Sequence, residues 1–395
     1  MKQMKLCVWI VIVAMLAMCF VACTPASDAT SEEPVAVNAD LAELLAPQRS
    51  QLLKTGDSFR LSIPGDCEVT VTSSDEKVLT ADGSGLVTAV GKGMAFVTVS
   101  DSDESVLCGV LVGGEEKLID VTELTAKEIF SDLELHAATE ITGMAVDTEN
   151  QAVYFAQKYG SNSYMPLNSE IIISKVEQKD DAWALSSWMR FSGSGKGAIC
   201  MDNDGQTPRL WMECSGDYIG YGKAISLVEW SDDSYCMEAY GQIFEPQGIS
   251  GGMTLTADTE NNMVLVYDRA EKIYRVYNRA DMLAGESAPE YVHSFSCKAN
   301  QTPMAGEDDS QGRYNASIRG YALYDGYLYQ FSGSSSIYLS VFDLNGNLQY
   351  CRRLMDQIDK DYYAPASVSI ADGKVYVVIA SGNSEYNLAN LWVFE

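Results

Sequence analysis

The chain has 395 residues, 47% of them hydrophobic and 21% charged, which is room for two or three domains. Asp and Glu outnumber Lys and Arg by 55 to 27, giving a net charge of −28. That balance repels a phosphate backbone and an anionic membrane face, so nucleic acid and electrostatic membrane binding are both disfavoured. Neutral glycans, cationic groups and basic protein patches remain as partners, beside the plain reading that acidity keeps the chain soluble.

Lys2 and Lys5 precede an almost wholly apolar run from Leu6 to Ala22. A basic start, an apolar stretch and a small residue before a cut site make up a secretory signal. At 17 residues the run is at the short limit for a membrane span. Phe20-Val21-Ala22-Cys23 resembles a bacterial lipobox, with Phe20 where leucine is usual. The resemblance implies that residues 1–23 are a lipoprotein signal and that Cys23 carries the lipid holding the mature chain to a bilayer of the cell envelope. Simple secretion and an uncleaved anchor are the alternatives. Residues 24–48, rich in Ala, Ser, Thr, Glu and Pro, read as a flexible linker with little to bury. Leu41–Leu45 can form a short helical turn within it.

Residues 49–113 carry short β-prone runs between glycine turns. Gly83-Ser84-Gly85 and Gly91-Lys92-Gly93 mark turns, and Ala95, Val97 and Val99 fall on one strand face. This spacing predicts a small β-sandwich. The order of residues in "SSDEKVLTADGSGLVTAVGKGMAFVTV" resembles the bacterial Ig-like group 2 domain, which implies a spacer or adhesion module on a cell surface.

Ten cysteines are present. Cys7 and Cys19 leave with the signal and Cys23 takes the lipid, so an odd number remains, and at least one thiol is unpaired or bridged to another chain. Cys67 and Cys108 both lie in predicted strands of the sandwich, where a disulfide between them would stabilise so small a domain. Cys200 and Cys214 flank a predicted hairpin turn and can meet across it, or can be buried thiols.

After a connector at 114–135, residues 136–395 repeat a phrase. "GMAVDTENQAVYFAQ" at Gly143 returns as "GMTLTADTENNMVLVYD" at Gly252, and looser forms follow. Each is an inner strand, an Asp-bearing turn and a second strand. The turn aspartates, Asp147, Asp202, Asp258, Asp325 and Asp372, are spaced by 55, 56, 67 and 47 residues. Repeats of several strands at about this period predict propeller blades, here five. The last blade runs out after its third strand, and a strand within "EIFSDLELHA" is expected to complete it and hide the sheet edge. The whole is therefore expected to be all-β, a small Ig-like sandwich followed by a five-bladed β-propeller. The phrases "ITGMAVDTENQAVYFAQ" and "IRGYALYDGYLYQFSG" resemble helveticin J-like and teichoic-acid-biosynthesis-protein-C-like propellers. That resemblance implies a bacterial envelope or bacteriocin-like protein touching cell-wall polymers. Those relatives carry Gly-His-Gly where this chain has Gly195-Lys196-Gly197, so a shared histidine-dependent role does not transfer.

Catalytic signatures are sparse. The two histidines, His136 and His293, are far apart and sit in no nucleophile motif. No metal-binding or cofactor-binding motif stands out, and the acidic loop 306–315 reads as solvated rather than as a calcium site. Glu140 and Glu245 are the carboxylates nearest to predicted inner-strand entries, as a propeller glycosidase would require. Ligands of propellers gather at one end of the channel. Thr142, Lys196, Gly251, Arg319 and Ala366 fall near those entries. Lys196 and Arg319 supply donors there, and Trp188, Trp211, Tyr164 and Tyr221 are candidates for stacking on sugar rings, with blade packing as their alternative role. The expectation is a lipid-tethered, non-catalytic protein that binds envelope polysaccharide or another glycan and needs no cofactor. The competing readings are a propeller glycoside hydrolase or bacteriolytic helveticin-like protein, and a protein–protein adhesion scaffold.

Overall fold

Alternating runs broken by Gly, Asp and Asn turns give strands of three to eleven residues in the computed structural model. It describes residues 41–395 except 49, 64–67, 114–117, 137–138, 160–169, 193–196, 204–206, 215–223, 233–240, 285–288, 298–317, 334–336, 355–356, 359–363 and 382–387. Cys23, Cys67, Tyr164, Lys196, Tyr221 and the acidic loop 306–315 lie outside the described residues.

The first seven strands make a sandwich. β1 (Ser50–Lys54), β3 (Thr70–Ser73), β6 (Gly93–Ser100) and β7 (Ser105–Gly113) form one sheet in the order β1-β7-β6-β3. β2 (Ser58–Arg60), β4 (Leu79–Ala81) and β5 (Leu86–Ala89) form the facing sheet. Ala95, Val97 and Val99 point into the core between them, as their alternation predicts. Cys108 is buried in that core. The helix Leu41–Leu45 inserts Leu41 and Leu45 into the same core. Residues 41–48 therefore belong to the folded sandwich rather than to the linker, because two leucines one helical turn apart bury a common face.

β8 (Ala126–Glu134) leads into the ring. Four sheets are each built from contiguous strands: β9 (Ile141–Asp147) to β12 (Ala182–Ser192), β13 (Ile199–Asp202) to β16 (Gln242–Phe244), β17 (Met253–Asp258) to β20 (Tyr291–Phe295), and β21 (Ile318–Tyr324) to β24 (Leu348–Arg353). The fifth joins β25 (Ala364–Ala371), β26 (Lys374–Ser381) and β27 (Leu388–Phe394) to β8, which supplies its outer strand. β9, β13, β17, β21 and β25 neighbour one another in turn, and β25 returns to β9. The architecture is all-β, and the inner strands close a five-bladed ring. Gly320 permits that closeness, since a Cβ there would sit 2.9 Å from the Ser367 Cα of the next inner strand. The closing strand is clasped by mutual Thr125–Glu395 backbone hydrogen bonds and by Arg352, whose guanidinium donates to the Val121 and Leu124 carbonyls.

The recurring Asp-Thr-Glu-Asn phrase locks the turn between first and second strands. The Asp147 carboxylate accepts the Asn150 backbone N–H at 3.0 Å and its side-chain amide at 2.7 Å. Asp258 and Asn261 repeat both bonds. Asp202, fully buried, instead takes a two-point contact from Arg279, at 2.9 and 2.6 Å, across to the neighbouring blade.

The sandwich docks on blades three and four. Met94 and Leu111 of the sandwich share one apolar cluster with Met263, Tyr274, Val292 and Leu344 of the ring. Lys92, from the Gly91–Gly93 turn, ion-pairs with the buried Asp325 carboxylate of blade four. His293 bridges the junction, its Nδ1 2.7 Å from the Ser50 hydroxyl and its Nε2 2.7 Å from the Leu344 carbonyl. A carbonyl only accepts, so Nε2 carries the proton and Nδ1 accepts from Ser50. Burial holds the His293 pKa below its ordinary value.

Candidate ligand-binding site

The five inner strands run side by side, so their starting ends converge at one mouth of the central channel and their finishing ends at the other. At the entry mouth, Arg319 stands near the start of β21, half-buried, its Nε donating to the Gly333 carbonyl at 3.4 Å. Its guanidinium lies 3.8 Å from the exposed carboxylate of Glu140, which immediately precedes β9. In the ring, β25 stands between β21 and β9. The ion pair thus skips a blade and spans the mouth on a chord. Thr142 sits beside it, its hydroxyl donating to the Ala156 carbonyl.

The finishing ends enclose a small space of ≈ 130 Å³ reached by residues of all five inner strands. Its rim carries Thr148, Asn203, Glu260 and Asp372. Burial pushes the Asp258 pKa up, and that carboxylate is already engaged by Asn261. Burial also raises the Tyr324 pKa, assisted by the negative charges of Glu260, Asp258 and Asp372. Among the described residues no cluster of His, Cys, Asp and Glu is arranged to hold a metal ion.

The remaining sequence candidates separate from the entry mouth. Trp211 is fully buried between blades, its ring 5.4 Å from Phe244, so it packs the core and meets no ligand. Its strand β14 (Arg209–Cys214) is second in its sheet and covered on both faces, which a lone tryptophan in sequence does not reveal. Trp188 lies on β12, the outermost strand of blade one, stacked on His136 at 3.8 Å. Cys200 pairs across its hairpin with Trp211, not Cys214, so the register rules out a bridge across that turn. Glu245 immediately follows the outermost strand of blade two, whereas Glu140 precedes the innermost strand of blade one. The two do not flank a common point as hydrolytic carboxylates must. Sequence reasoning named both Glu140 and Arg319 but not their pairing, because 179 residues separate them and only ring closure brings them together.

No family model matches the sequence, and no curated protein matches it either. Among solved structures, an exo-β-1,3-galactanase from Phanerochaete chrysosporium with β-1,3-galactotriose is 9% identical, with a TM-score of 0.40 over 68% of this chain and 64% of that one. A GH43 β-1,3-galactosidase with galactodeoxynojirimycin is 9% identical, with a TM-score of 0.36 over 65% of this chain and 90% of that one. The WD40 domain of Toxoplasma gondii coronin is 10% identical, with a TM-score of 0.34 over 70% of this chain and 87% of that one. The chain thus spans less than two thirds of the galactanase. Likeness at this level carries no argument about activity or ligand.

Proposed function

We propose that this chain is a lipoprotein, tethered through Cys23 and displayed outside the cell, whose propeller binds a cell-envelope polysaccharide or other glycan without cleaving it. The Ig-like group 2 resemblance of residues 49–113 fits a module that holds the ring away from the bilayer. The observation that carries the binding reading is the Arg319–Glu140 pair across the channel mouth. It sets a planar fork of donors beside a carboxylate acceptor, the complement of neighbouring sugar hydroxyls. At 3.8 Å with an exposed partner, the pair is worth little by itself, so a ligand can open it at small cost. Among the described residues Glu140 is the carboxylate placed at the mouth, half of what glycoside hydrolysis requires.

The test is a glycan and envelope-polymer array probed with the full-length chain in detergent, beside Arg319→Ala. Saturable binding weakened at least about tenfold by the substitution, equivalent to about 1.4 kcal/mol, is expected. Absence of binding across the array, or binding indifferent to Arg319, overturns the proposal. Release of sugar from the bound polymer would move the assignment to a hydrolase.

A further inference from the structure

Each blade ends in an outer strand whose free side presents backbone N–H and C=O groups, a template for another strand unless it is short, charged or covered. Four of the five outer strands are defended in one of these ways. β16 is three residues long. β20 lies against the sandwich, with Val292 close to Gly109 and His293 on Ser50. β24 carries Arg352 and Arg353, and Arg352 also holds the Val121 and Leu124 carbonyls. β8 carries Lys127, Glu128, Asp132 and Glu134, and its register against β27 is broken by bulges.

β12 is the exception. At eleven residues it is longer than any of these, and among the described residues no strand pairs with its outer side. It holds one charge, Arg190, and no acid, in a chain where about one residue in seven is acidic. Ala182, Ala184, Leu185 and Ser186 are exposed, Leu185 to 37%.

The faces of β12 fix how a partner strand could lie. Met189 and Phe191 pack toward blade two, so Trp188 and Arg190 alternate onto the other face, where Trp188 stacks on His136. Trp183 shares that second face, its ring 5.5 Å from Phe130 of β8. The switch from odd to even numbers comes at Ser186, which the register against β11 (Glu170–Lys179) leaves unpaired and whose hydroxyl donates to the Lys175 carbonyl. Opposed residues must share a face. An antiparallel copy of β12, related by a twofold axis between Leu185 and Ser186, meets that requirement by setting Trp183 opposite Trp188. The same register sets Arg190 opposite the exposed Asp180-Asp181 turn of the second copy, and the symmetry makes the ion pair twice.

We infer that β12 is a self-association edge, through which a second copy of this chain extends blade one across a twofold axis. Two chains of net charge −28 repel over most of their surfaces, and an acid-free strand is where they can touch. The symmetric Arg190 contacts favour a second copy over an unrelated extended peptide, which would have to supply both the apolar alternation and the acid. The pairing uses neither Arg319 nor Glu140, so it stands apart from the channel mouth.

Sedimentation equilibrium of the full-length chain, in density-matched detergent with a reductant, tests it at about 1–100 µM. A concentration-dependent dimer is expected. Leu185→Lys sets like charges beside the axis and is expected to raise the dissociation constant at least about tenfold. Ala184→Lys, also at an exposed position, serves if the first variant misfolds. Arg190→Glu faces the Asp180-Asp181 turn with a like charge and is expected to weaken the dimer by a similar factor. A monomer throughout the range overturns the inference. So does a dimer that survives both lysine substitutions, which would place association elsewhere, for example at the N-terminal apolar run. A dimer indifferent to Arg190→Glu equally refutes the charge-matched pairing.

Discussion

Gly109→Ala tests whether sandwich and ring share one folding transition. A Cβ at Gly109 would lie 2.5 Å from the Val292 Cβ and 2.7 Å from both its Cα and its carbonyl oxygen. Ordinary contacts need about 3.5–4.0 Å, so β20 must retreat from the sandwich by about 1 Å. The His293–Ser50 hydrogen bond, which crosses the junction, starts at 2.7 Å and would stretch beyond useful length. Overpacking costs about 1–3 kcal/mol and the lost hydrogen bond about 0.5–1.5 kcal/mol, for a combined loss of about 1.5–4.5 kcal/mol. Urea unfolding followed by tryptophan fluorescence reads it selectively. Trp9 lies in the N-terminal apolar run, and Trp183, Trp188, Trp211, Trp230 and Trp392 all lie in the blades, so the sandwich is silent. The substitution sits in the sandwich and the reporters sit in the ring. A lower midpoint at unchanged slope is expected. A tryptophan transition that does not move, with the loss confined to a separate step seen by circular dichroism, would refute the shared core.

His293 predicts a pH dependence at the same junction. The fold holds the imidazole neutral, and burial lowers its pKa. The unfolded chain takes up the proton near pH 6.5, so this contribution is complete above that pH and is lost as pH falls below it. The urea midpoint should drop between pH 7 and pH 5, and His293→Gln should flatten that slope; an equal slope in both proteins refutes the assignment. Arg279→Ala strands the buried Asp202 carboxylate, leaving Arg209 at 3.1 Å as a partially exposed partner. A loss of about 3–5 kcal/mol is expected in chemical denaturation, and a loss below about 1 kcal/mol would show that the pair does not fasten blades two and three.

The ring was legible in sequence because its information is local. The Asp-Thr-Glu-Asn phrase announces a turn through bonds made within four residues, and the strand missing from the last blade pointed upstream to EIFSDLELHA at 128–137, which overlaps β8 at 126–134. The docking of the sandwich was not legible, because it rests on residues that look like ordinary strand formers. Met94 and Leu111 alternate with core residues and so point to the supposed solvent face. One signal was available: from Cys108 to Val112 β7 reads as an unbroken apolar run, buried throughout, and such runs belong to strands covered on both sides. The Arg279–Asp202 and Arg319–Glu140 pairs join residues far apart in sequence, and neither has a spacing that could have been read in advance.

The fastening of β8 to β27 separates the order of synthesis from the order of completion. Four blades can assemble from contiguous chain as it emerges, but the fifth must wait for residues 388–394 to reach a strand made some 260 residues earlier. The entropy of closing so long a loop grows only logarithmically, so the final structure loses little stability by it. The burden is kinetic. Until the last strand arrives, β8 and the unfinished blade both present unpaired edges, and the nascent molecule is at its most vulnerable to pairing with a neighbour just before it is complete.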